Sequence, residues 1–279
     1  MDEVIFLLVL GLIYVIFASI QDLKKREVAN WLSFSLIVFA LGFRFFYSLF
    51  SESGFNFFYQ GLIGLGFFLV IGNLFYYGRM FAGGDAKLMI ALGTILPFTD
   101  SFFMNLNIFV LFFLSFLFSG AFYGFIWTIT LSLRNHTRFK KEFCKRFSKT
   151  KKFTYLFMIL GLIFMGIGFF KEFFFLIGIF IFMFPYLYLF AKSVDESFMI
   201  KNLKTNALTE GDWLYKDVKV GKKIIKANWE GLSSREISLI QNKHKSVFIR
   251  QGIPFVPVFL IAYLILLLFW FTGLWNSLW

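Results

Sequence analysis

Cysteine is almost missing from the chain. Cys144 stands alone among 279 residues, so there is no internal disulfide and no Cys-x-x-Cys pair to hold a structural zinc. Histidine is nearly as scarce. His136 and His244 are the whole complement, both lie in polar stretches, and neither belongs to a His-Glu-x-x-His zinc pattern. A serine nucleophile activated by histidine inside an apolar segment has no candidate either. No glycine-rich loop ends in Gly-Lys-Ser or Gly-Lys-Thr, so nucleotide-driven pumping has no phosphate cradle. Charge is thin as well, at 16% of residues. No metal and no cofactor is expected, and carboxylates remain as the available reactive groups.

What fills the space is apolar surface. Hydrophobic residues make up 59% of the chain and 46 of them are Phe, a composition far from that of a soluble domain. Runs of about 20 apolar residues cross a hydrocarbon layer about 30 Å thick. Eight candidate spans fall near 4–21, 31–50, 55–78, 86–98, 107–133, 153–170, 172–191 and 253–275. The fourth is short for a full crossing, and the 153–191 pair is also compatible with a re-entrant hairpin. The first span has no small-residue cleavage site after it and reads as a retained helix. The fold class expected is an all-α polytopic membrane protein of about eight helices with a small cytoplasmic α+β segment. Residues 1–191 form a helical catalytic domain, 192–252 the cytoplasmic segment and 253–279 the last span.

Lys and Arg gather in the cytoplasmic loops of membrane proteins. With eight spans, every one of the 28 basic residues except Lys171 and Arg44 falls on one side, in 22–30, 79–87, 134–152 or 192–252. Both termini then lie outside a cell membrane. The net charge of +12 is explained by this bias and by anionic lipid, with no nucleic acid as a partner. Arg44, within a span, is expected to snorkel. The 192–252 segment is expected to contain a strand pair around Val218–Ile225 and a helix from Ser234, with Ser233 and Glu236 at capping-box spacing.

Two carboxylates share the basic side. Asp22 ends the first span, and Asp85 opens the fourth after Gly83 and Gly84. Alone, Asp22 would be a solvated helix-end acid and Asp85 an acid capping a turn. Together they form a pair at one face, and two close carboxylates share a proton. One can then take a proton from water while the other polarises a peptide carbonyl. Glycine at 83 and 84 allows close backbone approach and unusual φ values. Lys87 either snorkels or tunes Asp85, and Asn73 either packs between helices or bonds a carboxylate. The opposing reading is a transporter or channel in which the acids bind a cation or relay protons.

The stretches Asp22-Leu23-Lys24-Lys25-Arg26-Glu27-Val28-Ala29-Asn30-Trp31 and Ala82-Gly83-Gly84-Asp85-Ala86-Lys87-Leu88 resemble the type IV prepilin peptidase family, especially its archaeal preflagellin and prepilin branch. Gly252-Ile253-Pro254-Phe255-Val256-Pro257 and Glu210-Gly211-Asp212-Trp213 are similar to that branch too. Ala82 stands where the Gly-x-Gly-Asp motif has its first glycine, and Ala29 where a proline is common. The cysteine-rich insert of many bacterial members is absent, so the N-methylation those enzymes add is not implied. The resemblance implies that Asp22 and Asp85 are the catalytic pair of a membrane aspartic endopeptidase. Its substrates would be pilin-like or archaellin precursors, losing a basic leader at the cytoplasmic face. Glu27, Asp195, Glu196, Glu210 and Asp212 are candidates to receive that leader. A protease-dead assembly factor of the same ancestry is a further alternative.

Overall fold

The computed structural model describes residues 2–51, 54–169, 171–221 and 223–274. Glu52 and Lys222, counted in the charge pattern above, lie outside them. The chain is mostly helical and separates into two compact units. Residues Met1–Gly124 with Ile253–Trp279 form the first, and Phe125–Gly252 the second. Among the described residues, six helices are long and apolar enough to cross a membrane.

In the first unit, α1 (Asp2–Lys25) starts with Asp2 and Glu3 and finishes with Lys24 and Lys25, charges that complement the helix dipole at both ends. Arg26 then adopts φ 58°, and its N–H returns to the Asp22 carbonyl at 2.8 Å, closing the helix with a left-handed residue. Helices α2 (Asn30–Phe50) and α3 (Asn56–Tyr77) follow. The fourth apolar segment is not a spanning helix. α4 runs only from Gly83 to Leu92, about 15 Å long and half a bilayer, and 93–101 continue as turns and irregular backbone.

Irregular backbone at such depth needs every polar group satisfied by protein, and three buried side chains do this. The Arg44 guanidinium donates to the carbonyls of Thr94 (2.9 Å), Phe57 (2.9 Å), Ile95 (3.3 Å) and Pro97 (2.5 Å). Asn105 accepts from the Phe98 and Thr99 amides, both at 3.0 Å, and donates to Gln60 at 2.9 Å, while Gln60 donates to the Asp100 carbonyl. Arg44 therefore does not snorkel. It is 0% exposed, with its guanidinium 4.3 Å from the centre of the Phe57 ring. A charge is tolerated there because four hydrogen bonds from the fixed guanidinium fork reach the Phe57 carbonyl in α3 and the carbonyls of Thr94, Ile95 and Pro97 beyond the end of α4.

Packing between α3 and α4 is backbone-close. A side chain at Gly72 would meet Ile90 at 2.8 Å and the Ala86 carbonyl at 3.0 Å, the close contact that small residues permit between membrane helices. α5 (Phe102–Arg134) contributes Phe109, Phe112 and Phe116 to the same core, and α9 (Pro257–Thr272) contributes Phe259 and Tyr263. The buried Tyr263 hydroxyl donates to the Leu8 carbonyl at 3.0 Å, docking α9 against α1.

In the second unit the basic stretch 134–152 is not a loop. It forms the first half of α6 (His136–Gly168), which pairs with α7 (Glu172–Val194) as two distinct helices. α6 is not straight. Gly161 lies against Phe182, Arg146 bridges to Glu196 at 3.1 Å, and yet the Phe139 ring is 5.5 Å from that of Phe190. On a straight axis at about 1.5 Å per residue Phe139 would lie well beyond Glu196. The turned-back segment has Phe139 and Phe143 on one face and lysines on the other, the pattern of an interfacial helix.

After a π-turn at Asp195–Met199, the polar segment forms an antiparallel sheet in the order β1 (Ile200–Lys204), β5 (Ser246–Arg250), β2 (Trp213–Leu214). β3 (Val218–Val220) and β4 (Lys223–Ile225) pair separately with Val218 opposite Ile225. α8 (Ser234–Gln241) starts at the Ser233–Glu236 capping pair, with the Ser233 N–H donating to Glu236 at 3.0 Å. Leu208, Leu214, Ile237, Ile240 and Ile249 form its own small core. The expected α+β segment is therefore present, strand pair and cap included. Tyr215 donates to Glu196 at 2.9 Å, and that bond to a carboxylate pushes the phenol's ionisation above its ordinary range.

Candidate active site

Asp22 sits in the last turn of α1 and Asp85 in the first turn of α4. The loop after α1 brings these helix ends together. A Cβ on Gly84 would lie 3.4 Å from that of Val28. The Ala29 amide donates to the Gln21 side chain at 3.1 Å, and Lys87 Nζ donates to Asn30 Oδ1 at 2.6 Å. Asp22 and Asp85 therefore sit on helix ends that this loop joins.

Their surroundings differ. Asp22 is 6% exposed, and its Oδ2 accepts the Val256 N–H at 2.9 Å. Asp85 is crowded by protein but keeps part of its surface open. Its Oδ2 accepts the Ala82 N–H at 3.3 Å, the acidic half of a capping box; Ala82 has no side-chain oxygen to complete it. The bland role of Asp85 as a capping acid is real and coexists with its place beside Asp22. A carboxylate with one long hydrogen bond and an accessible face can still meet a water or a peptide.

Four expectations change at this site. Lys87 neither snorkels nor faces Asp85, because Asn30 holds its ammonium. Asn73 reaches no carboxylate, because its amide donates back to the Leu69 carbonyl of its own helix at 2.8 Å. Gly83 and Gly84 do not take positive φ, and an added Cβ would meet only ordinary contacts at 3.4 Å or more, so neither helix approach nor backbone conformation demands glycine there. Of the acids proposed for a basic leader, Asp195 pairs with Lys192 and Arg250, Glu196 with Arg146, and Asp212 accepts the Thr209 amide. Among the described residues, no group of His, Cys, Asp and Glu is arranged to hold a metal.

The Val256 amide was not foreseen. Its signal was the pair Pro254 and Pro257, which remove two of four consecutive donors and leave Phe255 and Val256 to serve a nearby acceptor.

Comparison with known proteins bears on this geometry. Residues 8–128 match the type IV leader peptidase family. That stretch holds both aspartates and nearly coincides with the N-terminal part of the first unit. A preflagellin peptidase of Methanocaldococcus jannaschii is similar at 30% identity over 95 residues, which cover 32% of this chain and 37% of that protein. The chain thus spans about a third of the length of the curated relative it matches. No solved structure matches. Among the described residues, six candidate membrane helices are consistent with a multi-pass membrane protein.

Proposed function

We propose that the protein is a membrane aspartic endopeptidase that removes basic leader peptides from type IV pilin-like or archaellin precursors. Asp22 and Asp85 activate the water. The observation that supports this reading is that the ends of α1 and α4, each carrying one aspartate, are joined through the loop after α1, inside the segment that matches the family. With α4 plus its irregular extension and α9 counted as crossings, the chain crosses a cell membrane eight times. Both termini then lie outside and the aspartates face the cytoplasm. A precursor's apolar helix would lie in the bilayer with its leader junction at that level, and the lipid is a partner throughout. Both aspartates fall within the first unit, which carries the chemistry in this reading.

The test is direct. Purified protein in lipid vesicles, mixed with a synthetic precursor carrying a lysine-rich leader, should release that leader as a single fragment by mass spectrometry. Ion flux through the vesicles with no peptide product would replace the peptidase by a transporter.

A second expectation concerns Gly84. Its Cβ site is open in the folded chain, so Gly84→Ala should leave thermal stability unchanged or raise it by up to about 1 kcal/mol through helix propensity. If the space beside Asp85 admits a substrate strand, the same variant should lose cleavage mainly through a raised KM. Unchanged kinetics would remove substrate approach as the reason for glycine there.

A further inference from the structure

Asp22 is held from a remote part of the sequence. Its Oδ2 accepts the Val256 N–H at 2.9 Å across a separation of 234 residues. That donor stands between Pro254 and Pro257, which have none. Val256 is already helical, at φ −59° and ψ −31°, so Asp22 serves as an acceptor for a partnerless amide at the opening of α9. It also faces the positive end of that helix. Asp85, by contrast, accepts one amide at 3.3 Å, from Ala82. The other charged or titratable groups acting on Asp22 are Arg26 in the following loop, Tyr123 of α5 and Asp85 itself. α9 carries no charged residue.

We propose that the Pro254–Pro257 lead-in to α9 is a positioning element that holds Asp22 as the ionised acceptor of the pair. This makes Asp22 the base and Asp85 the acid. The assignment rests on the peptidase reading for its chemistry. Water attacks the scissile carbonyl as Asp22 takes one water proton, and Asp85 gives its proton to the carbonyl oxygen. Collapse of the tetrahedral species breaks the C–N bond, the leaving nitrogen takes the proton from Asp22, and the hydroxyl proton returns to Asp85. The pair ends as it began. The Val256 amide donor and the N-terminal end of α9 favour the charged form of Asp22, and the like charge so fixed favours a proton on its neighbour.

The experiment needs no substrate. Full-length protein in lipid nanodiscs is titrated by infrared absorption of the carboxylic-acid C=O, with the double variant D22N/D85N as baseline. D85N then reports Asp22, and D22N reports Asp85. Asp22 is expected to release its proton at the lower pH. Val256→Pro, which deletes one donor, should raise the Asp22 midpoint by about one pH unit and leave that of Asp85 unmoved, while Val256→Ala should move neither. A reversed order of midpoints overturns the assignment, as does a Val256→Pro shift that is absent or equal at both sites. If Val256→Pro does not fold, the order of midpoints decides alone. A wild-type protein that cleaves no precursor but shows these shifts loses the reaction and keeps the positioning element; cleavage without the shifts does the opposite.

Discussion

Replacing either Asp22 or Asp85 by Asn is expected to lower precursor cleavage by about 10²-fold to 10⁴-fold, the contribution of a positioned acid or base, while the protein remains folded in the membrane. Asparagine is close in shape to aspartate and keeps a carbonyl oxygen. In Asp22→Asn that oxygen can still accept the Val256 N–H, and in Asp85→Asn it can still accept from Ala82. The substitutions therefore remove a proton acceptor or donor and leave the helix ends tied. The two losses should not multiply. The double variant is expected to be about as slow as either single one, because groups that act as a unit fail together. Cleavage retained above a tenth of wild type in either single variant would remove the dyad from the mechanism.

Arg44 should dominate stability. Replacing it with Met keeps much of the apolar stem but leaves the carbonyls of Phe57, Thr94, Ile95 and Pro97 without their donors. Each buried group left open costs about 1–3 kcal/mol, so the sum approaches the whole stability of an ordinary domain, about 5–15 kcal/mol. Arg44→Met is expected to yield little monodisperse protein. Arg44→Lys should give an intermediate loss, since an ammonium keeps the charge but not the planar fork that reaches several carbonyls. Size-exclusion yield and thermal unfolding in detergent measure both. An Arg44→Met protein melting within a few degrees of wild type would show that water or relaxed backbone satisfies those carbonyls.

The sequence made the apolar helices readable, because hydropathy is a local property, and it singled out Asp22 and Asp85, because a carboxylate at a span end stands out against that background. It also made the 218–225 strand pair and the Ser233 cap readable from residues a few positions apart. Arg44 was misread for the same reason: a window of hydropathy records a cation in a span and nothing of the four carbonyls, up to 53 residues away, that receive it. The length of α4 was equally hidden, since 88–98 is almost wholly apolar and the carbonyls past the end of the helix are met by that remote side chain. The 134–152 stretch looked like a loop because its lysines outweigh its phenylalanines on average, whereas helix formation depends on their separation onto two faces. The hold on Asp22 comes from backbone amides, which a list of reactive side chains leaves out.

That hold has a consequence in time. Val256 leaves the ribosome 234 residues after Asp22, a lag of tens of seconds at about 5–20 residues per second. Throughout that interval α1 and α4 can assemble, but the carboxylate at the end of α1 lacks its Val256 donor. On this ordering the site matures only once the lead-in to α9 has been synthesised, and a nascent chain passing its own apolar segments through the same membrane does so beside an unfinished centre.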